Sequence, residues 1–226
     1  KEPNWTKERE ALEKKLALEE ESSQINGMDD LSKAERKSLY FLMASIFLWF
    51  FGYNAVMSKI ADYLPKVLNI NFSSLPFVFA QIFVVLAIVP TGYLSFKIGR
   101  KKSVMIGIII ATLALSSIVF LNEGINYMAA VLFAIAGVGW MMININAYPM
   151  IVDLGKGKTL GQFTGYYYAA SMSAQIFTPI LSGMLMDRLV FGRLILFPYA
   201  AVFVFLSFIT MSFVKHGDIK KAQKII

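Results

Sequence analysis

Six stretches of about 20 largely apolar residues dominate this chain: 39–62, 74–97, 103–121, 126–150, 161–186 and 194–214. Each is long enough to cross roughly 30 Å of hydrocarbon as a helix. The connections at 65–73, 99–102, 122–125, 153–159 and 187–193 are short, so consecutive helices must run antiparallel. The pattern predicts an all-α polytopic membrane protein with six transmembrane helices.

Composition excludes several other classes. Hydrophobic residues make up 57% of the chain and charged residues 16%, against roughly 45–50% and 25% in an average soluble domain. The charges crowd outside the apolar runs, so a soluble enzyme or nucleic-acid-binding module is excluded; the latter needs a basic face on a soluble unit. There is no Cys, and the one His, His216, lies beyond the last run. No thiolate or His cluster can therefore be assembled for a metal. No intramembrane acid, His or nucleophile triad is visible either, which argues against an enzyme.

Basic residues near span ends are retained in the cytoplasm. Eighteen of the 22 Lys and Arg lie in residues 1–38, 97–102, 156–158 and the tail, and four (Lys59, Lys66, Arg188, Arg193) lie in the alternate connections. This asymmetry predicts that both termini are cytoplasmic, most simply at the plasma (inner) membrane. The net charge of +7 then reports topology and contact with anionic lipid.

Residues 1–37 are of a different kind and read as a charged cytoplasmic linker, helical from Trp5 to Ser23, with i, i+4 pairs such as Glu10 and Lys14. The bundle is expected over 38–217 and a cytoplasmic tail over 218–226. No secretory signal is visible. A chain that starts at Lys1 is expected to be a fragment or a processed product.

Between the second and third runs lies Gly92-Tyr93-Leu94-Ser95-Phe96-Lys97-Ile98-Gly99-Arg100-Lys101-Lys102. It resembles the loop signature of the major facilitator superfamily, G-x-L-x-D-[RK]-x-G-[RK]-[RK]. In this role Gly92 would let its helix approach a neighbour closely and Gly99 would permit the tight turn. Lys97, Arg100, Lys101 and Lys102 would pair with helix C-terminal carbonyls or acidic groups and lock one conformation. The signature Asp is replaced by Phe96, which removes the acidic partner from the loop. A purely topogenic basic turn is the alternative. An echo, Gly183-Met184-Leu185-Met186-Asp187-Arg188 followed by Gly192-Arg193, closes the fifth run. The resemblance implies two six-helix halves, each of two inverted three-helix repeats. The charged segment plus six runs matches the linker and second half, so an N-terminal six-helix half is expected from the same full-length protein.

A narrower likeness is carried by Gly52-Tyr53-Asn54-Ala55, Asn146-Ala147-Tyr148-Pro149-Met150 and Gly161-Gln162-Phe163-Thr164-Gly165-Tyr166-Tyr167-Tyr168, the last leading into Gln175-Ile176-Phe177-Thr178-Pro179. These segments resemble the second half of sucrose:proton symporter-type carriers, close to the glycoside, pentoside and hexuronide:cation symporters. The likeness implies carbohydrate transport. Independently, amides are costly in hydrocarbon and tend to face a bundle interior or aqueous cavity. They occur in the first, second, fourth and fifth runs and are absent from the third and sixth, which this superfamily makes peripheral. Helical spacing gathers Phe50, Asn54 and Ser58; Gly137, Trp140, Asn144 and Tyr148; and Thr164, Tyr168, Ser171, Gln175 and Thr178 into stripes. Any one amide serves interhelical packing or substrate contact equally well; together the stripes favour a lined cavity. The expected substrate-binding residues are Asn54, Gln81, Trp140, Asn144, Tyr148, Tyr168 and Gln175. Asn146, on the other face of its helix, is expected to pack.

No charged residue falls in the middle of a run, so proton coupling, or sodium coupling as the alternative, would need a group in the other half. No other cofactor is expected. Pro90, Pro149 and Pro179 interrupt three runs and can kink them. The sequence reading is therefore a proton-coupled glycoside or disaccharide carrier working by alternating access. A drug or lipid exporter of the same fold, or a transport-incompetent receptor or assembly subunit, stands as the alternative.

Overall fold

The computed structural model describes Arg9, residues 12–15, Met28, and residues 30–70, 75–121, 126–155, 160–188 and 192–218. Arg9 and residues 12–15 are helical. Residues 1–8, 10, 11, 16–27 and 29 of the N-terminal charged segment, the Lys156 and Lys158 connection and the tail past Asp218 lie outside the described residues. Seven α-helices and no strand occur among the described residues: α1 (Lys33–Val67), α2 (Leu75–Leu86), α3 (Ile88–Ile98), α4 (Arg100–Ile118), α5 (Asn126–Leu154), α6 (Leu160–Arg188) and α7 (Leu196–Ser212), the last entered through a 3₁₀ turn at Gly192–Ile195.

Local chemistry sets the helix ends. At the start of α1 the Ser32 hydroxyl accepts from the Glu35 N–H at 3.3 Å, while the Glu35 carboxylate accepts from the Ser32 N–H at 2.9 Å. This reciprocal cap begins the helix ahead of the apolar run. At the far end Asn69 takes φ 54° and the Ile70 N–H returns to the Leu64 carbonyl at 3.0 Å, a left-handed helix stop. The second apolar run is not one straight helix. It breaks at Ala87, and the two pieces meet at a 41° bend. Pro90 has no N–H to offer the Leu86 carbonyl, and its ring crowds that turn. Pro149 and Pro179 sit inside the unbroken α5 and α6.

Five helices are long and apolar enough to cross a membrane, or six when α2 and α3 form one bent span. α4 packs along α5 and α7, α1 lies against α7 and α6, and α2 packs on α5. Trp49, Tyr63, Phe163 and Phe197 are the largest fully buried side chains. In lipid the hydrophobic effect does not draw helices together, so close backbone approach matters. A Cβ on Gly107 would lie 2.7 Å from the Gly139 carbonyl oxygen, and one on Gly139 would lie 2.7 Å from that of Gly107. Gly52 is pressed in the same way against the Ala200 carbonyl of α7 at 2.6 Å.

One expectation needs correction here. Gly92 does not serve a close approach within this half, because a Cβ there meets nothing within 4 Å. Within this half about 44% of the apolar window of α4 and of α7 is buried, against 28% for α5 and 33% for α6. In this bundle α4 and α7 pack on each other as well as on α5 and α1, whereas α5 and α6 turn a broad face outward.

Replacing Gly139 with Val should therefore overpack the α4–α5 crossing, at a cost of about 1–3 kcal/mol. A thermal midpoint several degrees lower in detergent is expected, with Gly92→Ala close to wild type as the control.

Candidate functional site

A cavity of about 210 Å³ lies between α1, α2 and α5, backed by α4 and α7. Residues 137–140 of α5 organise it from three sides. Gly137 faces α2, where a Cβ would meet Val84 Cγ2 at 2.4 Å. Gly139 faces α4, and Trp140 faces α1. The Trp140 indole stacks on the Tyr53 ring with centroids 3.5 Å apart and planes 5° from parallel, and Phe50 closes on its edge at 5.2 Å. Gln81 stands one turn before Val84 and also lines the cavity. Trp49 is fully buried against the same space, and its indole N–H has no hydrogen-bond partner among the described residues.

Of the seven expected binding residues, Gln81 and Trp140 line this cavity. The Asn54 amide donates to the Phe50 carbonyl at 2.8 Å and the Asn144 amide to the Trp140 carbonyl at 2.9 Å, one turn back on their own helices. Tyr148 reaches Thr164 Oγ1 at 3.0 Å and meets Tyr167 edge-on at 5.4 Å, joining α5 to α6. Tyr168 and Gln175 are exposed on α6, while Ser171 and Thr178 of the same stripe are buried and donate to α6 carbonyls. The stripes thus make an aromatic seam along α1, α5 and α6. Sequence reasoning left Trp49, Tyr53 and Met57 out of the site. Their signal was a second stripe on α1, Trp49-Tyr53-Val56-Ile60, whose apolar character reads as packing.

Asn146 is buried and belongs to a polar knot. Its amide donates to the Met142 carbonyl at 2.7 Å and lies 2.8 and 3.2 Å from the hydroxyls of Ser95 and Ser103, which are themselves 2.8 Å apart. The knot ties α3, α4 and α5 together directly behind the basic turn.

The family model of the Major Facilitator Superfamily matches residues 3–179 and again residues 39–221, well over half of the chain. The chain belongs to this superfamily. Its members are membrane transporters, and a bundle of six spans, with α2 and α3 as one bent span, is consistent with one half of their fold. No curated protein matches the chain.

The facilitator turn at Lys97–Lys102 is built from chemistry that its own sequence does not contain. Gly99 takes φ 95°, and a Cβ there would lie 2.9 Å from the Asp218 carboxylate. That carboxylate accepts from the Arg100 N–H at 2.6 Å. The Arg100 guanidinium pairs with Asp153 at the end of α5. Lys101 Nζ donates to the Ser212 and Val214 carbonyls at 2.8 and 2.6 Å, the orphan acceptors at the end of α7. Lys97 lies over the Tyr93 ring at 4.5 Å. The turn has no acid of its own at Phe96; Asp153 and Asp218, 53 and 118 residues from Arg100, supply the acidic partners from outside it.

Lys101 and Lys102 are matched in charge and so make a clean comparison. Charge-assisted bonds to carbonyls are worth about 1.5–3 kcal/mol. Lys101→Met should lower the thermal midpoint clearly, whereas Lys102→Met, on an exposed side chain, should leave it near wild type.

Proposed function

We propose that the chain is the second six-helix half of a facilitator carrier that moves a glycoside or disaccharide by alternating access. The observation that carries this reading is the Tyr53–Trp140 platform beside Gln81. A sugar ring presents an apolar C–H face that stacks on an aromatic plane and a rim of hydroxyls that an amide satisfies. Small-molecule sites are typically apolar surfaces with a few placed polar groups. The likeness to sucrose and glycoside symporters supports the same solute class.

The other half of the carrier, expected N-terminal in the full-length protein, would cover the broad outward faces of α5 and α6, with Tyr168 and Gln175 then facing the solute path. No charged side chain stands mid-span among the described residues. A coupling proton, or sodium in its place, would therefore be handled by a group of that other half. The basic turn and both termini are assigned to the cytoplasmic side of the plasma membrane from the Lys and Arg asymmetry.

An amphipathic drug or lipid as the exported solute is a second reading, favoured by the lining of the cavity itself. Gln81 is the one amide in it, while the Asn54 and Asn144 amides are engaged on their own helices. Uptake of a labelled disaccharide panel into vesicles holding the full-length carrier, with and without a proton gradient, separates the two. Saturable, gradient-driven uptake of one sugar, reduced about tenfold or more by Trp140→Ala and also weakened by Gln81→Ala, is the expected result. No sugar uptake, together with efflux of an amphipathic dye that Trp140→Ala abolishes, would put the exporter reading in its place.

A further inference from the structure

The two ends of the bundle carry matching contacts. At one end Gly99, with φ 95°, precedes Arg100, the first residue of α4, whose guanidinium pairs with Asp153 of α5. At the other, Gly192, with φ 51°, precedes Arg193 at the entry to α7, and the Arg193 Nε donates to Asp62 Oδ2 of α1 at 2.5 Å. In both cases an arginine follows a glycine in the left-handed region where the chain enters the third helix of a three-helix repeat. In both it reaches an aspartate on the first helix of the other repeat. The inverted symmetry of the repeats puts these two contacts on opposite faces of the membrane.

Each aspartate also sits beside a proline, Asp153 four residues after Pro149 and Asp62 three residues before Pro65. A proline removes a backbone hydrogen bond and lets a helix bend, so the end of α1 and the end of α5 are the parts of those helices most easily displaced. The surroundings of the two contacts differ. The Arg100 end is tied down further by Asp218 and by Lys101 on the α7 carbonyls. The Arg193 end has Lys66 as a second cation on Asp62, and Lys59 lies above Gly183 of α6. Each of the contacts at the Arg193 end is half-exposed, the regime in which an ion pair is worth little and can be made and broken.

We propose that Asp62 and Arg193 form a second gate contact, which holds the Val67 end of α1 against the 3₁₀ entry to α7 and restrains opening of the solute path on that face. It opposes the contact at the basic turn, so that loss of one favours opening at its own end. The inference rests on the chain being half of a facilitator carrier and not on the choice of solute, and its test needs no substrate.

Met57 lines the cavity, is exposed, and lies five residues before Asp62. In a full-length carrier with Met57→Cys as its sole cysteine, labelling by a membrane-impermeant thiol reagent is timed from the Asp62 face. Asp62→Asn and Arg193→Gln should each speed labelling about threefold or more, Asp62→Glu should stay close to the parent, and Arg100→Gln should give no acceleration. Parental rates in both Asp62→Asn and Arg193→Gln would overturn the proposal. So would equal acceleration by Arg100→Gln, which would mean a general loosening of the bundle. If Asp62→Asn fails to accumulate, Arg193→Gln carries the test alone, because it leaves the Asp62–Lys66 pair in place.

Discussion

Everything in this bundle is referred to the line where α4 and α5 touch backbone to backbone at Gly107 and Gly139. Lipid tails are as apolar as the side chains, so nothing squeezes these helices together from outside. Dispersion contact at short range must hold them, and two glycines permit the shortest range available. Gly139 is also the residue before Trp140. Fixing one face of α5 on α4 therefore aims the adjacent indole at Tyr53, and Gly137, two residues earlier, lets Val84 bring α2 in from the third side. The position of the cavity follows from contacts in three directions made within about one turn of one helix.

A second regularity concerns where polar side chains find partners. Asn54, Asn144, Ser45, Ser117, Ser173 and Thr178 all donate to the carbonyl four residues back on their own helix. In hydrocarbon an unpaired donor is expensive, and this acceptor is always within reach. Some side chains also reach across and hold the architecture: Asn146 with Ser95 and Ser103, Ser45 with Thr210, and Tyr148 with Thr164 each bridge two helices.

Span positions were legible in the sequence because apolar length and flanking charge are local properties. The run at 126–150 became α5 at Asn126–Leu154, and the run at 161–186 became α6 at Leu160–Arg188. The bend at Ala87 was half legible: Pro90 announced a kink, but its place three residues upstream depends on which carbonyl is orphaned. Gly92 was misread, since a glycine in a motif does not reveal whether a neighbour lies over it. The site was legible as a set of helices and less so as a set of contacts. Of the expected residues, Trp140 and Gln81 line the candidate cavity, while Tyr53 and Trp49, which also line it, were hidden by being apolar on an apolar helix. The acidic partners of Arg100 were out of reach because the chain must fold back over long stretches to deliver them.

Those long returns bear on how the protein is made. Asp218 holds the amide of Arg100, the Ser212 and Val214 carbonyls hold Lys101, and the Lys215 N–H and His216 ring meet the Ser38 hydroxyl at 3.1 and 2.9 Å near the start of α1. All of these come from the stretch that follows or ends α7. A ribosome delivers helices in order, so the basic turn between α3 and α4 is synthesised and inserted long before the residues that clasp it exist. Until α7 has entered the bilayer, the first helix and the basic turn lack their common clasp. Closure of that face has to wait for α7, because a chain stalled before residue 212 lacks the groups that seal it.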